Sequence, residues 1–155
     1  MHPRHDGPGR PHAINAGMSG KAAPVTKRQY EALANFRYRL RRFLRYSEEV
    51  TRSHGITPLQ YQLMLHIKGY PGREWALVGE LAERMQAQHH GVVSLVTRSE
   101  KAGLVRREGD PEDRRAVRVR LTADGERSLR RLAQLHRDEL LKLREEFVVR
   151  DLETG

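Results

Sequence analysis

Residues Val117-Arg118-Val119-Arg120-Leu121 alternate without exception between apolar and cationic side chains. Successive side chains of a strand point to opposite faces, so this pattern describes a strand with one buried face. Gly109, Asp110 and Pro111 supply a turn composition before it, and Leu104-Val105-Arg106-Arg107-Glu108 precedes the turn. The unit is a β-hairpin with a charged tip. Most of the remaining chain carries the three-to-four-residue apolar period of helices. The fold class this sets is mainly α with one small β-hairpin.

Helix punctuation is clear upstream of the hairpin. From Lys27 to about Ser53, Leu33, Phe36, Leu40, Phe43 and Val50 recur at helical spacing, while Arg37, Arg39, Arg41, Arg42 and Arg45 take the other face. His54-Gly55 closes this helix. Thr57 then stands as N-cap, Pro58 at the first helical position and Gln60 at the third, a capping box, with Ile56 and Tyr61 at the staple positions. That helix runs to about Lys68 with Leu59, Leu63 and Ile67 expected on its buried face, and Gly69-Tyr70-Pro71-Gly72 ends it. A short extended piece, Glu74 to Ala76, leads into a third helix, Val78 to Met85. A fourth runs from near Gln88 to Gly103 with Val92, Leu95, Val96 and Ser99 turned inward. Two short helices joined by a tight turn form a helix-turn-helix, and the hairpin directly after them makes it winged. Thr122 caps a last long helix, in which Leu129, Ala133, His136, Leu140, Leu143 and Phe147 form a second apolar stripe.

A chain of 155 residues suits one domain or one subunit of an obligate oligomer. Only 37% of the residues are hydrophobic, a thin supply for a monomeric core. The stripes of 27–53 and 122–149 therefore predict an obligate homodimer joined through the N- and C-terminal helices, around a DNA-binding lobe of residues 57–121. Residues 1–25 carry four prolines, four glycines and few large apolar side chains, and read as a flexible arm ahead of a 26–155 domain. His2, His5 and His12 fall in that arm, and Met18 is an alternative start. Lys plus Arg number 29 against 20 Asp plus Glu, a net charge of +9 that points to polyanions, nucleic acid first and acidic membranes second. The absence of cysteine excludes disulfides, thiolate zinc sites, thiol nucleophiles and thiol redox sensing. No apolar run approaches the roughly 18 residues of a transmembrane helix, and the N-terminus lacks a signal-peptide core. The expectation is a cytoplasmic protein with no membrane partner. With no Gly-rich phosphate loop and no nucleophile beside a base, no enzyme is expected either.

Four blocks, in order, carry a family resemblance: ITPLQYQLMLHI, VGELAERM, LVTRSEKAGLVRRE and DPEDRRAVRVRLTADGE. Over Thr57 to Gly125 the chain resembles the MarR family of bacterial transcription regulators. The last block is the most specific, with Asp110, Asp113, Arg115, Leu121-Thr122 and Gly125 at the family's spacing. The resemblance implies a winged-helix homodimer, a repressor that binds operator DNA and is released by a small-molecule ligand or another signal. Three positions depart from the pattern: Ser99 replaces a usual leucine, and Leu77 and Gln88 stand where better N-caps are common.

A helix fits the major groove of B-DNA and reads base edges from its N-terminal half. With Val92, Leu95 and Val96 inward, the outward set is His89, His90, Val93, Ser94, Thr97 and Arg98. Arg98 suits a guanine edge or a phosphate, and Val93 a thymine methyl. Arg114 and Arg115 at the hairpin tip are candidates for a narrow minor groove. Asp110 and Asp113 are expected to stabilise the wing, and either is a partner for Arg115, which favours Arg114 as the DNA contact. Gln60 and Arg84 are further candidates for phosphate.

The family's ligand site lies between the DNA-binding lobe and the dimer helices. The resemblance thus implies a pocket near Phe36, Arg37, Leu40, Tyr61, Met64, Leu65 and His66, and the basic first helix suits an anionic effector. His136 reads as a satisfied histidine of the interface. Adjacent helical residues diverge by about 100°, so His89 and His90 make a poor chelating pair. Glu48, Glu49 and His54 cluster near the end of the first helix, but no metal or other cofactor is expected. Two alternatives stay open: a metal-responsive regulator, and a nonspecific architectural winged helix that binds nucleic acid.

Overall fold

The computed structural model describes residues 23–144 and Leu152. Among them the elements run α1 (Lys27–Ser53), α2 (Pro58–Lys68), β1 (Ala76–Leu77), α3 (Val78–Arg84), α4 (His89–Lys101), β2 (Val105–Gly109), β3 (Val117–Leu121) and α5 (Ala123–Leu143). The expected arm up to residue 22, with its three histidines, and Phe147 at the end of the last stripe lie outside the described residues.

Local chemistry sets the helix starts. The Thr57 hydroxyl accepts from the Gln60 N–H at 3.1 Å, and the Gln60 side chain accepts from the Thr57 N–H at 3.0 Å. Thr26 and Gln29 form the same reciprocal pair at the head of α1, a box the sequence reading passed over. Leu77 has no side-chain acceptor, and Glu80 compensates by accepting from the Leu77 N–H at 2.8 Å. Gln86, in the turn between α3 and α4, holds a left-handed φ of 50°. Its side-chain amide donates to the Glu83 carbonyl at 2.7 Å, which helps hold a conformation that non-glycine residues avoid.

The hairpin is part of a three-stranded antiparallel sheet of order β1-β3-β2. Ala76 pairs with Val119 and Leu77 with Arg118, so the expected extended piece at Glu74–Ala76 is displaced toward α3 and becomes the third strand. Val105, Val119 and Leu121 turn inward, while Val117, also on the apolar side of the alternation, lies at the tip end of β3 and is exposed.

The core is built from Leu63, Met64 and Ile67 of α2, Val92, Leu95 and Val96 of α4, Leu81 of α3, the inner face of the sheet, and Leu129 and Leu132 of α5. Leu59 was expected inside and is 51% exposed. The buried arc of α2 runs from Leu63 through Ile67 and Met64 to Tyr61, which leaves Leu59 outside its edge. On α5, Leu132 is fully buried and Leu140 exposed, a shift of the expected stripe toward α2. Two contacts lock α5 to the lobe. A Cβ on Gly125 would lie 2.0 Å from the Leu104 carbonyl oxygen, so only glycine fits there. Thr122 donates its N–H to Leu104 O at 3.1 Å and its hydroxyl to Gly103 O at 2.5 Å.

Candidate nucleic-acid interface

Val92, Leu95, Val96 and Ser99 anchor α4 in the core. This turns His89, His90, Val93, Ser94 and Arg98 outward, all exposed, with Thr97 half-buried among them. The helix has no side-chain N-cap, since Gln88 makes no such bond. Its first-turn N–H groups are open to an external acceptor, and helix N-termini favour anions. Thr97 is less available than its position suggests. Its hydroxyl donates to Val93 O at 3.0 Å and accepts from Arg107 Nη2 at 2.9 Å.

Arg107 was not singled out in the sequence, yet it joins β2 to α4. Its guanidinium also pairs with Glu100 at 3.0 Å, and the second Glu100 oxygen accepts the Arg107 backbone N–H at 3.0 Å. A cleft of about 380 Å³ opens between the start of α4 and the wing, lined by Val78, His89, Val93, Arg107, Arg115 and Val117 among others.

The wing tip is organised by Asp110. One carboxylate oxygen accepts from the N–H groups of Glu112 and Asp113 at 2.8 and 3.1 Å, and the other accepts from Arg118 Nε at 2.7 Å. The Arg118 hydrogen bond and these N–H groups hold the Asp110 carboxyl below the usual carboxylate range. The expected Arg115 partnership is therefore corrected. Arg118 occupies Asp110, and Asp113 accepts only the backbone N–H of Arg115, at 2.9 Å. Hairpin register decides this, because Arg118 lies across the strand pair from Glu108, close to the turn. Among the described residues, the side chains of Arg98, Arg114 and Arg115 make no ion pair or hydrogen bond. Most other wing arginines are tied: Arg106 and Arg120 both meet Glu108, at 2.8 and 2.7 Å.

A run of stacked rings and guanidinium groups flanks the wing. Arg84 lies over Tyr70 at 4.5 Å, Arg73 over Tyr70 at 4.1 Å and over Trp75 at 3.8 Å, and Arg118 over Trp75 at 3.8 Å. Arg73 also pairs with Glu80. Burial pushes the Glu80 carboxyl up, but the Leu77 N–H and Arg73 outweigh it and hold the group low. Sequence reasoning gave Tyr70 to a turn and did not single out Arg73 or Trp75.

The residues named for an effector pocket are dispersed. Met64 is fully buried in the core, and Tyr61 is stacked on His136 with ring centroids 4.3 Å apart. Burial raises the Tyr61 phenol above its ordinary value. Arg37 and Leu40 line an open groove of about 900 Å³ whose walls all come from α1, and none from α2. Phe36 is half-buried on α1 and Leu65 is exposed. His66 is half-buried, and burial followed by the charge of Arg84 lowers its pKa. His136 is buried within the protomer, with Nδ1 on Leu132 O and Nε2 on the Ser47 hydroxyl, each at 2.7 Å. Of the cluster near the end of α1, His54 bonds the Val50 carbonyl at 2.8 Å and Glu49 takes Arg45 at 2.9 Å. Gln60 spends its carbonyl on the cap. No described helix is long and apolar enough to cross a membrane. Among the described residues no group of three His, Asp or Glu side chains has the arrangement to hold a metal ion.

The helix-turn-helix packed against a sheet, with the hairpin beside its second helix, defines a winged helix-turn-helix protein. The model of the MarR family matches residues 54–116, from the close of α1 to the wing tip. The transcriptional regulator HosA of Escherichia coli O111:H- is 40% identical over 74 residues, covering 48% of this chain and 53% of HosA. The HTH-type transcriptional regulator YsmB of Bacillus subtilis is 30% identical over 105 residues, 64% of this chain and 66% of YsmB. A MarR family protein of Bacillus stearothermophilus superposes with a TM-score of 0.66 at 26% identity, across 81% of this chain and 86% of that one. The chain spans between about half and two thirds of the length of the curated relatives it matches. Fold, family match and relatives agree: residues 54–116 match the MarR family, and the chain's fold is that of MarR family proteins.

Proposed function

We propose that this protein is a sequence-specific double-stranded DNA-binding transcription regulator, a cytoplasmic repressor without catalytic activity that a small-molecule effector releases. The observation that carries the reading is the pairing of an anchored, outward-facing α4 with a wing tip whose Arg114 and Arg115 side chains are uncommitted among the described residues, on a chain of net charge +9. In this reading α4 enters the major groove with His89, His90, Val93, Ser94 and Arg98, and the tip arginines reach the adjacent minor groove. Thr97 serves through Arg107 rather than as a free reader. The relatives named as transcriptional regulators support the same class of function.

The working unit is a homodimer through α1 and α5. Tyr30, Leu33, Tyr38 and Leu44 on α1 and Leu140 and Leu141 on α5 are all more than 40% exposed. Two copies would set their recognition helices on half-sites about one DNA turn apart. The effector's place is the basic, α1-walled groove holding Arg37 and Leu40, which suits an anionic molecule.

The test is a titration at fixed salt of the full chain against a duplex selected from a random-sequence pool. Arg114→Ala is expected to weaken binding by on the order of 1–3 kcal/mol. An unchanged dissociation constant removes Arg114 from the interface. Equal affinity for the selected duplex and for bulk DNA at physiological salt rejects sequence-specific recognition.

A further inference from the structure

Among the described residues, no third strand lies beside the wing beyond β1. Ala76 and Leu77 pair only with Val119 and Arg118 of β3, so the hairpin from Gly109 to Val117 projects as a two-stranded ribbon. Such a ribbon is marginal on its own in water, and its direction depends on side chains. Trp75 sits immediately before β1, and the Arg118 guanidinium lies 3.8 Å from its ring centroid. The same guanidinium holds Asp110 at 2.7 Å. Asp110 in turn gathers the N–H groups of Glu112 and Asp113, the two residues just before Arg114. An unbroken mechanical path therefore runs from indole to guanidinium to carboxylate to turn backbone to the tip. The Trp75 end is itself held, because Arg73 lies on the ring at 3.8 Å and is tied to Glu80 of α3. Trp is the most favourable ring for a cation, and Arg is the cation most often found over it.

We propose that Trp75 is a positioning residue for the wing: acting through Arg118 and Asp110, it aims Arg114 and Arg115 at the duplex. The inference rests on the DNA-binding reading above and assigns that function a residue outside both the recognition helix and the hairpin. It gives the stacked arginines a role distinct from general basicity. Arg118 is spent on aim, and the tip arginines on contact.

A double-mutant cycle on the full chain tests it, with the selected duplex as probe and thermal unfolding followed in parallel. Trp75→Ala is expected to weaken binding roughly five- to tenfold in the intact chain. In an Arg114→Ala/Arg115→Ala background, where the tip no longer contacts DNA, the same change is expected to cost less than about twofold. Trp75→Phe, which keeps an aromatic face for Arg118, is expected to bind within about twofold of the parent. Should Trp75→Ala fail to fold, Arg118→Gln carries the same cycle with the indole in place. Equal losses in both backgrounds overturn the proposal, because Trp75 would then act on the whole lobe or on DNA directly. Parental affinity in Trp75→Ala overturns it as well, while leaving the DNA-binding reading intact. Failure of the parent chain to bind any duplex removes that reading and this proposal together.

Discussion

The helices α1 and α2 are neighbours in sequence and opposites in packing. α2 has 11 residues, four of them buried, while α1 has 27 residues and buries only Thr51. Both begin with a Thr–Gln capping box, so the contrast does not come from how they start. It comes from what lies opposite. α2 is surrounded by α4, the sheet and α5. The amphipathic α1 meets α2 and α5 along part of its length and leaves Tyr30, Leu33, Tyr38 and Leu44 open. Most helical stability comes from packing an apolar face rather than from propensity. The lobe thus packs around α2, whereas α1 keeps an apolar face that only the proposed homodimer would cover.

The sharpest way to break this contrast is to truncate a leucine on each helix. Leu63→Ala, at a site with no exposure, is expected to cost about 2–5 kcal/mol at every protein concentration. Leu44→Ala, at 50% exposure, is expected to cost within about 0.5 kcal/mol at concentrations where the chain is monomeric, and more where it associates. Urea unfolding at two widely separated concentrations reads both. Equal, concentration-independent losses would mean that α1 is held as firmly by its own chain as α2.

Gly125→Ala probes the joint between the two regions. The added carbon meets backbone, which cannot rotate away as a flexible side chain does, and a loss of about 1–3 kcal/mol in thermal denaturation is expected. A neutral result would show that α5 slides freely on the lobe. The smallest effect is a gain. The Ser99 hydroxyl is buried without a hydrogen-bond partner among the described residues. Ser99→Ala is expected to stabilise the lobe by about 1 kcal/mol, and a loss of that size would reveal a bonded hydroxyl.

The legible features are those set by neighbours in sequence. Thr57, Pro58 and Gln60 announce α2 because capping is settled within one turn. Val117 to Leu121 announce β3 because pleating alternates the side chains whatever the sheet's size. Features set by distant segments were not legible. Two residues, Ala76 and Leu77, carry no strand signal of their own, and become β1 only because β3 lies beside them. By spacing alone Arg115 had two candidate partners, Asp110 and Asp113, whereas Asp110 takes Arg118 from across the hairpin. Arg73, Trp75 and Arg107 read as ordinary loop and strand residues until the fold sets them against Glu80, Arg118 and Thr97. The stripe on α5 drifted for a related reason: burial there follows the face that α2 presents, which puts Leu132 inside and Leu140 outside.

Where α5 leaves β3, Gly125 rests directly on the Leu104 carbonyl, and Thr122 bonds the backbone of both Gly103 and Leu104. Apart from the Thr122 hydroxyl, that junction is backbone against backbone. The start of the long terminal helix is thus joined directly to the Gly103-Leu104 backbone, between the end of α4 and the root of the hairpin. On the proposed reading, a second subunit or a wedged effector that re-angled α5 would turn the head as a lever turns a shaft.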